Sequence, residues 1–490
     1  MEALQSELVQ KEVSQKKSID KSKINILLLN AIDERNLTEK PPLGLGYLAS
    51  YIKKHGGPYN LKYTDRNIEQ TLREFKPHIV CISCVSVNYD RAREIAKKIK
   101  EFNKKTINII GGFHISLEPM SLDKNIDFGL IGEGEEIFHR VVESLVSNNF
   151  EIIPEEIKAI PGVVFWENGN LITTQGRGFI KDLDTIPPPD RELLGGSLFS
   201  TIITSRGCVY KCIFCTTPNM WGNRMRFHSA EYVVREIEHL LNRYHPDLIY
   251  IQDDLFTVNL QRVRKIMHLL KEKGMNRKAY YSFLGRSNNI TEEFLEIVKD
   301  LKIDSINIGF ETANQQILTQ TKAAGNTEGF HHITVEDHIN AIKLLNKYGI
   351  RFYGYFIIGF PNDTKETIMD TYNFIKKYNI RGITFKATPF PGTPLWEYAV
   401  ENRLVKDNSF SYSKLQHGMK LVNENEICLS KNLTPGQLNE LYAKFKKLEK
   451  QVAKKHIVTD FLHDPRWAFN YYFNRLLKLK LFYDKKKKIL

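Results

Sequence analysis

The order of apolar and polar positions predicts that strands and helices alternate along most of the chain. In residues 24–150, short apolar runs, such as residues 79–83, are followed by amphipathic stretches, such as residues 89–102. A continuous apolar run of this length is typical of a strand buried on both faces of a parallel sheet. We therefore predict an α/β fold that begins with a doubly wound parallel sheet, whose ligands bind at the carboxyl ends of the strands.

A second alternating stretch extends over residues 198–400. We predict strands in it at residues 200–204, 248–252, 279–283, 305–309, 352–358 and 382–387. These strand–helix units are too few to close an eight-unit barrel, so the pattern indicates a partial (β/α)6 barrel. Active-site residues of such a barrel are expected at the C-terminal ends of its strands.

Further segments complete the predicted organisation. Residues 1–23 form a basic extension that we expect to be disordered. Residues 151–197 are a connector with a hairpin around an Asn-Gly turn pair. Residues 401–490 are expected to form a helical region that ends in a basic, aromatic tail. Residues 323–333 look inserted after the fourth barrel strand, where a surface loop is favoured over a roof on the substrate site.

The composition predicts a soluble, cytoplasmic protein. Of 490 residues, 42% are hydrophobic and 26% are charged, and no apolar run reaches the roughly 18 residues of a membrane-spanning helix. The first 23 residues contain no apolar signal core. The net charge of +13 is concentrated in lysines near both ends of the chain, which favours solvated tails over a nucleic-acid partner.

Cys208, Cys212 and Cys215 form a C-x3-C-x2-C run directly after a predicted strand. Three thiolates at this spacing suit three irons of a 4Fe–4S cluster and leave the fourth iron open to a small chelating ligand. A structural zinc site is the alternative, but zinc favours four protein ligands, and no fourth cysteine or histidine lies at a matching spacing. The three other cysteines are too few for a second cluster.

The cysteine run and its surroundings resemble the radical S-adenosylmethionine (SAM) superfamily, in which this motif lies in the loop after the first barrel strand. Fragments that match the superfamily follow in order at the ends of the other predicted strands. The resemblance implies SAM contacts at Phe214, Asp253, Asp254, Arg286, Glu311, Gly359, Thr388 and Pro389.

The side chains at these positions suit the groups of SAM that the resemblance assigns to them. The resemblance assigns Asp253 and Asp254 to the methionyl amino group of SAM, and the guanidinium fork of Arg286 suits its carboxylate. Glu311 matches the acceptor of the ribose hydroxyls, and Gly359 permits close approach of the backbone to adenine. The alternatives are that one aspartate caps the following helix and that the arginine lies at the surface.

The first alternating stretch resembles the cobalamin-binding domain of cobalamin-dependent radical SAM enzymes, through residues 41–49, 111–114 and 132–135. The motif Asp-x-His-x-x-Gly, whose histidine coordinates cobalt in many such domains, is absent. We therefore expect cobalt to have no protein ligand from below, and His114 to be a hydrogen-bonding loop residue. The resemblance implies cobalamin contacts at Ser83, Ser86, Gly111, Gly112, His114, Gly132, Glu133 and Gly134.

Together the two resemblances imply a cobalamin-dependent radical SAM enzyme with one 4Fe–4S cluster, SAM and cobalamin. They imply C-methylation of an unactivated carbon through a 5′-deoxyadenosyl radical and methylcobalamin, with electrons from a flavodoxin or a ferredoxin-type donor. One alternative is a cyclisation or rearrangement without methyl transfer, and another is a degenerate cobalamin domain that only docks the substrate. A third is a non-catalytic, metal-binding interaction protein.

The end of the chain has a composition of its own. In residues 465–490, aromatic residues and leucines are interleaved with basic residues and followed by a run of lysines. Such a segment can lie in a membrane interface with its lysines at anionic head groups, which would suit a lipid substrate. The alternative is a helix packed on the barrel with a solvated tail. A peripheral contact with the inner face of the membrane is therefore an open expectation beside a soluble small-molecule substrate.

Overall fold

The computed structural model describes residues 20–32, 42–195, 200–322, 332–405, 411–419, 427–465, 467–469 and 472–473. Most of the predicted N-terminal extension, most of the predicted insertion and most of the predicted basic tail lie outside the described residues.

The N-terminal half is built on a sheet with the order β2-β1-β3-β4-β5-β6-β7. Its strands are β1 Asn25–Asn30, β2 Asn60–Thr64, β3 Ile79–Ser83, β4 Ile107–Gly111, β5 Phe128–Leu130, β6 Val163–Glu167 and β7 Asn170–Thr173. Its helices are α1 Leu43–His55, α2 Ile68–Phe75, α3 Tyr89–Phe102, α4 Phe113–Leu117, α5 Gly134–Ser147 and α6 Pro154–Lys158. Strands β1 to β5 are parallel, which confirms the predicted doubly wound arrangement.

The predicted connector hairpin belongs to this sheet. Strand β6 pairs antiparallel with β5, and β7 pairs antiparallel with β6. Asn168 and Gly169 have φ angles of +50° and +80°, which suits the tight turn between β6 and β7. The sheet therefore continues beyond residue 150, where the sequence predicted the end of the domain, because the hairpin covers the outer edge of β5.

The second half is an open barrel with the order β15-β14-β13-β12-β11-β8, and a small hairpin of β9 and β10 lies between β8 and β11 in the chain. Its strands are β8 Thr201–Ile202, β9 Ser205–Gly207, β10 Met225–Phe227, β11 Leu248–Ile251, β12 Tyr280–Gly285, β13 Ile303–Glu311, β14 Phe352–Ile358 and β15 Gly382–Lys386. Its helices are α7 Thr217–Trp221, α8 Ala230–Tyr244, α9 Leu260–Glu272, α10 Glu292–Val298, α11 Gln315–Thr321, α12 Val335–Lys347, α13 Lys365–Lys377 and α14 Pro394–Glu401. The sheet is parallel and β8 does not pair with β15, as expected for a partial (β/α)6 barrel.

The first barrel strand is shorter than predicted. The sequence indicated a strand over residues 200–204, but β8 covers only Thr201–Ile202. The backbone N–H groups of Thr204 and Ser205 donate to the carboxylate of Asp253 instead of to a neighbouring strand. The carboxylate of Asp253 therefore ends the hydrogen-bond ladder of β8, and the chain turns toward the cysteines.

Alternate residues of each barrel strand face the helices. On β13, Ile306 and Ile308 are fully buried against the helical layer. Asn307 and Gly309 alternate with them and lie on the opposite face, which is the interior of the barrel. The site is therefore expected on this second set of residues and on the loops above it.

The C-terminal region is helical where it is described. Helix α15, Pro435–His463, packs along β15. The N–H group of Thr384 donates to Glu449 Oε1 at 2.6 Å, and the carbonyl of Thr384 accepts from Lys446 Nζ at 2.9 Å. Among the described residues, no helix combines the length and the apolar character that crossing a membrane requires.

Candidate active site

The three cysteines lie in a loop that begins directly after β9. Gly207 ends that strand with φ +100°, and a Cβ atom there would lie 1.9 Å from the carbonyl oxygen of Arg224. Only glycine fits at this position. Within the loop, the N–H group of Ile213 donates to the carbonyl of Thr321 at 3.0 Å, and its carbonyl accepts from Leu395 N–H at 3.2 Å. The loop is therefore anchored to two barrel helices.

The cysteine thiols fit a metal by their chemistry. All three are free and partly exposed. Burial raises the pKa of Cys208 to about 12 and that of Cys215 to about 11, so thiolates at these positions need the positive charge of a metal. In the described ranges, no three His, Cys, Asp or Glu side chains converge as metal ligands, and binding itself is expected to draw these sulfurs together. Three soft thiolates fit an iron–sulfur cluster.

Asp253 has a structural role that the sequence did not predict. Its side chain is 1% exposed, and its oxygens accept from the N–H and hydroxyl groups of Thr204 and from those of Ser205. The carboxylate is already saturated with donors at the end of β8. This side chain holds the turn before the cysteines, and its contact with SAM stays a prediction.

Asp254, the next residue, lies beside the cysteine loop. Its carboxylate accepts from the N–H group of Gly207 at 3.2 Å and from the hydroxyl of Thr217 at 3.1 Å. Burial raises its pKa, and these two hydrogen bonds oppose that effect. Asp254 is thus bonded to the start of the cysteine loop, and its contact with the amino group of SAM stays a prediction.

Arg286 is buried beside the cysteine loop and is not a surface residue. Its side chain is 4% exposed, and its guanidinium lies 3.8 Å from the ring centre of Tyr210. Nη1 lies 3.5 Å from Cys212 Sγ, and Nε donates to Asn288 at 3.1 Å. Nη2 is buried and has no hydrogen-bond partner. An unsatisfied buried donor next to the cysteines fits a ligand carboxylate.

Glu311 ends β13 in a strained conformation. Its φ angle is +66°, which L-residues rarely adopt, and its side chain is buried. A Cβ atom at Gly309 would lie 2.3 Å from Glu311 Oε1, so Gly309 makes room for this carboxylate. Lys322 Nζ lies 3.3 Å from the same oxygen. Lys322 was missed by the sequence analysis, because a lysine at the end of a helix is usually exposed.

Gly359 forms the loop after β14, with φ +88°. Its N–H group and that of Phe360 donate to the carboxylate of Asp363 at 2.8 and 2.9 Å. Burial raises the pKa of Asp363 to about 6. A Cβ atom at Gly359 would lie 2.9 Å from the side chain of Leu438 on α15, so packing within the protein already requires glycine here. Contact of this loop with adenine stays a prediction.

The remaining predicted SAM residues surround the same loops. The ring centre of Phe214 lies 5.9 Å from that of Phe360. Thr388 donates to the carbonyl of Lys386 at 3.1 Å, and Pro389 is buried beside it. They thus line the cluster side of the barrel ends, and their contact with SAM remains a prediction.

The predicted cobalamin residues of β3 and β4 lie next to one another. Ser83 and Gly111 are paired at the ends of these strands. Gly112 has φ +110°, and a Cβ atom there would lie 2.4 Å from the carbonyl oxygen of Cys84, so the contact between the two loops requires glycine. A Cβ atom at Gly111 would meet nothing closer than Leu130 at 4.0 Å. Gly111 is therefore the glycine of this pair that leaves room for a ligand.

His114 is a buried, hydrogen-bonded residue. Its Nδ1 lies 3.2 Å from Ser86 Oγ, and its Nε2 lies 3.0 Å from Ser121 Oγ. The ring packs between Tyr89 and Tyr412, with centroid distances of 3.8 and 4.5 Å. Burial lowers the pKa of His114 to about 3. Both ring nitrogens and the hydroxyl of Ser86 are therefore used inside the protein, as expected for a loop histidine and not for a cobalt ligand.

Glu133 joins the two halves of the molecule. It accepts from Arg206 Nη1 and from Arg226 Nη1, each at 2.6 Å, and from the N–H group of Ile180. Arg206 Nη2 also pairs with Glu135 at 2.6 Å. Burial opposes the charge of Arg206, but the two glutamates outweigh it and raise its pKa. Both carboxylate oxygens of Glu133 are bonded within this network, and its contact with cobalamin stays a prediction.

An opening lies between the end of β5 and the helix that follows the cysteines. Gly132 has φ +93° and donates its N–H to Ser116 Oγ at 3.0 Å, and Gly134 begins α5 behind it. The adjacent cavity has a volume of about 700 Å³. It is lined by Ser116, Leu117, Ile131, Arg177, Gly222 and Arg224, among others. This space is of ligand size, but its described lining includes none of the predicted cluster, SAM or cobalamin residues.

Comparison with protein families supports the same division of the chain. The model of the radical SAM superfamily matches residues 202–375, and that of the B12 binding domain matches residues 37–142. The first range covers most of the open barrel, up to β14 and α13, and the second covers β2 to β5 of the N-terminal sheet.

Relatives of similar length carry both halves. An uncharacterized methyltransferase of Pyrococcus horikoshii is 32% identical over 439 residues, which cover 86% of this chain and 91% of that protein. The cytidylyl-2-hydroxyethylphosphonate methyltransferase of Streptomyces wedmorensis is 25% identical and covers 76% of this chain and 80% of that protein. The radical SAM methyltransferase TsrM of Kitasatospora setae, solved with cobalamin and a [4Fe–4S] cluster bound, has the same fold, with a TM-score of 0.62, 17% identity, and coverage of 76% and 78% of the two chains.

Proposed function

Because this chain belongs to the cobalamin-dependent radical SAM enzymes, we propose that it methylates an unactivated carbon atom of a small molecule. The cluster, SAM and cobalamin are its cofactors. When bound, the cluster and SAM supply hydrogen abstraction from carbon, and cobalamin supplies a methyl group. The protein supplies binding, orientation and exclusion of water.

The observation that carries this proposal is the Arg206 network. Arg206 lies two residues before Cys208 and is bound to Glu133 and Glu135 of the N-terminal half. These ion pairs are almost fully buried, so they hold the start of the cysteine loop in a fixed position relative to β5 and α5. Transfer of a group between two cofactors requires such a fixed geometry.

The residues around the cysteines have separate tasks in this proposal. The free Nη2 of Arg286 donates to the carboxylate of SAM, and Asp254 accepts from its amino group. Glu311 accepts from the ribose hydroxyls, because its carboxylate is held at the barrel end by the backbone of β13. These three side chains together orient SAM against the loop that carries Cys212.

The test is anaerobic reconstitution followed by product analysis with isotope-labelled SAM. Protein reconstituted with iron, sulfide and cobalamin is incubated with a cell extract and SAM that carries a CD3 group. We expect a product that has gained an intact CD3 group, and no such product from a Cys208→Ala variant treated in the same way. A product formed without added label would favour cyclisation or rearrangement. The absence of both product and SAM cleavage would contradict the proposal.

An external one-electron donor is part of the proposed function. Three of the six cysteines form the cluster motif, and Cys81 and Cys84 are fully buried in the N-terminal core. The chain therefore lacks cysteines for a second cluster that could relay electrons. We expect reduced flavodoxin or ferredoxin to support SAM cleavage, with a rate that falls as salt is raised, because the enzyme carries a net charge of +13.

The C-terminal surface suggests a further contact, with an anionic membrane. Large apolar side chains are exposed there on residues 457, 458, 461, 462, 469 and 473, with Leu462 being 78% exposed. The sequence that follows is rich in lysine. A second copy of the chain would bring like charges together, whereas anionic head groups complement them. The proposed substrate source is then an apolar molecule at the membrane surface.

Co-sedimentation with vesicles containing phosphatidylglycerol tests this contact. We expect the wild-type protein to bind, and the variant with Leu462→Gln, Phe469→Gln and Phe473→Gln to bind less. The control is Met120→Gln, which changes an exposed apolar residue elsewhere. Equal, negligible binding by all three proteins would leave a soluble substrate, and a dimer seen by light scattering would assign the surface to a second copy.

A further inference from the structure

A lysine that the sequence analysis did not select lies inside the region proposed for SAM. Lys322 follows α11 directly and is 4% exposed. Its Nζ donates to the carbonyl of Gly309 and lies 3.3 Å from Glu311 Oε1. Burial lowers the pKa of Lys322, and the charge of Glu311 opposes that effect. A lysine is seldom buried so completely, and its charge must be compensated by groups inside the barrel.

Lys322 is also tied to the cysteine loop. The preceding residue, Thr321, accepts the N–H group of Ile213, which lies between Cys212 and Cys215. Lys322 is close enough to Cys212 and to Arg286 to interact electrostatically with both. The lysine and the arginine therefore flank the same stretch of the loop.

Of these two cations, only Lys322 has a close carboxylate partner in the described part of the chain. Glu311 pairs with Lys322, whereas no carboxylate among the described residues lies within ion-pair distance of Arg286. Arg286 instead contacts the side-chain oxygen of Asn288 and the sulfur of Cys212. A buried guanidinium without an ion-pair partner in the described ranges indicates room for an anionic ligand beside Arg286.

We propose that Lys322 is a positioning residue of the SAM site, which orients the Glu311 carboxylate for the ribose and, with Arg286, adds positive charge beside the cluster. Glu311 holds its strained φ angle of +66° with the ion pair in place. Removal of the lysine would free the carboxylate to rotate and would take away a cation that favours the reduced cluster. The inference rests on the proposed function, because it requires both the cluster and SAM.

The first test compares three lysine variants of the reconstituted protein. Lys322→Met removes the charge, Lys322→Arg keeps it, and the control Lys347→Met removes an exposed lysine that pairs with Glu292. The measurements are the midpoint potential of the cluster without SAM, followed by electron paramagnetic resonance, and the affinity for SAM. We expect Lys322→Met to shift the potential to more negative values and to weaken SAM binding about tenfold. Lys322→Arg is expected to retain the potential but not the full affinity.

A double-mutant cycle separates positioning from simple stabilisation. The double variant Glu311→Gln, Lys322→Met is expected to lose less SAM affinity than the sum of the two single losses, because the lysine acts through the glutamate. The shift in potential caused by Lys322→Met is expected to persist when Glu311 is Gln. A purely structural lysine would change the melting temperature without moving the potential of the cluster that remains.

The outcomes distinguish this inference from the proposed function. A wild-type protein that cleaves SAM, together with a Lys322→Met variant of unchanged potential and unchanged SAM affinity, overturns only the role of Lys322. If Lys322→Met does not fold, Lys322→Arg decides, since an unchanged SAM affinity in that variant would argue against a positioning role. A wild-type protein that assembles no cluster overturns both.

Discussion

The two predicted cofactor regions use their polar residues in opposite ways. At the barrel ends, Arg286 keeps a buried donor without a partner, and Glu311 is held in a strained conformation. At the N-terminal sheet, His114 and Glu133 have all their polar atoms bonded within the protein. Unsatisfied or strained groups indicate where a ligand binds, whereas satisfied groups indicate what holds the binding region in shape.

The largest expected effect is at the cysteines. Replacing Cys208, Cys212 and Cys215 together by Ala is expected to abolish both the iron–sulfur absorbance and the cleavage of SAM. The reason is that the motif has no spare thiolate to replace a lost ligand. Iron analysis and quantification of 5′-deoxyadenosine measure the result. Full iron content and activity in this variant would disprove the cluster assignment.

The next effect concerns the network between the halves. Arg206→Met leaves the carboxylates of Glu133 and Glu135 buried without their shared partner, which is expected to cost about 3–5 kcal/mol in the free energy of unfolding. Denaturant titration measures it. The control Lys98→Met breaks an exposed pair with Glu69 and is expected to change stability little. Equal effects of the two substitutions would contradict a special role for the buried network.

Neighbouring aspartates provide a sharper comparison within the site. Asp254→Ala and Glu311→Ala are expected to weaken SAM binding by about 1–3 kcal/mol each, with cluster content unchanged. Asp253→Ala is expected to lower the melting temperature, because it leaves the backbone donors at the end of β8 unpaired. Calorimetric titration with SAM and thermal unfolding measure the two effects. If Asp253→Ala and Asp254→Ala changed SAM affinity and melting temperature to the same extent, the separate roles given to these two residues after β11 would be wrong.

The buried histidine predicts a pH dependence of stability. The pKa of His114 is about 3 in the folded protein, against about 6.5 in an unfolded chain. The unfolded state therefore binds a proton as pH falls below 6.5, the folded state does not until about 3, and stability is lost on acidification. His114 alone is expected to lower the free energy of unfolding by about 1.4 kcal/mol when the pH falls from 7.5 to 5.5.

Denaturation curves at the two pH values test this, with His114→Gln as the comparison. We expect a smaller dependence on pH in the variant, whatever its absolute stability. An identical dependence would mean that His114 is protonated in the folded protein.

The smallest expected effect is at cobalt. His114→Gln is expected to leave the electron paramagnetic resonance spectrum of the cobalt(II) form of bound cobalamin unchanged, because both ring nitrogens are bonded to serine hydroxyls. Nitrogen hyperfine splitting that disappears in the variant would identify His114 as a cobalt ligand.

Local patterns were sufficient to predict most of the strands and to bring candidate site residues to their ends. Apolar runs located β3 and β14, and the order of motifs at strand ends located Arg286 and Glu311 in the barrel. Lys322 and the Glu133–Arg206 pair could not be predicted in this way, because their partners are 11 and 73 residues away and become neighbours only in the fold. Nothing in the pattern of the two adjacent acids distinguished Asp253 from Asp254. The difference depends on which donors the turn after β8 presents.

The contact of α15 with β15 has a consequence for the free edge of an open barrel. A barrel that does not close leaves a strand edge whose backbone groups could pair with another chain, and such edges promote aggregation. Here the outward N–H and carbonyl groups of Thr384 are bonded by Glu449 and Lys446. At the opposite edge of the sheet, β8 has only two residues whose backbone groups could pair with another strand. The barrel can therefore remain open for substrate entry without recruiting a foreign strand.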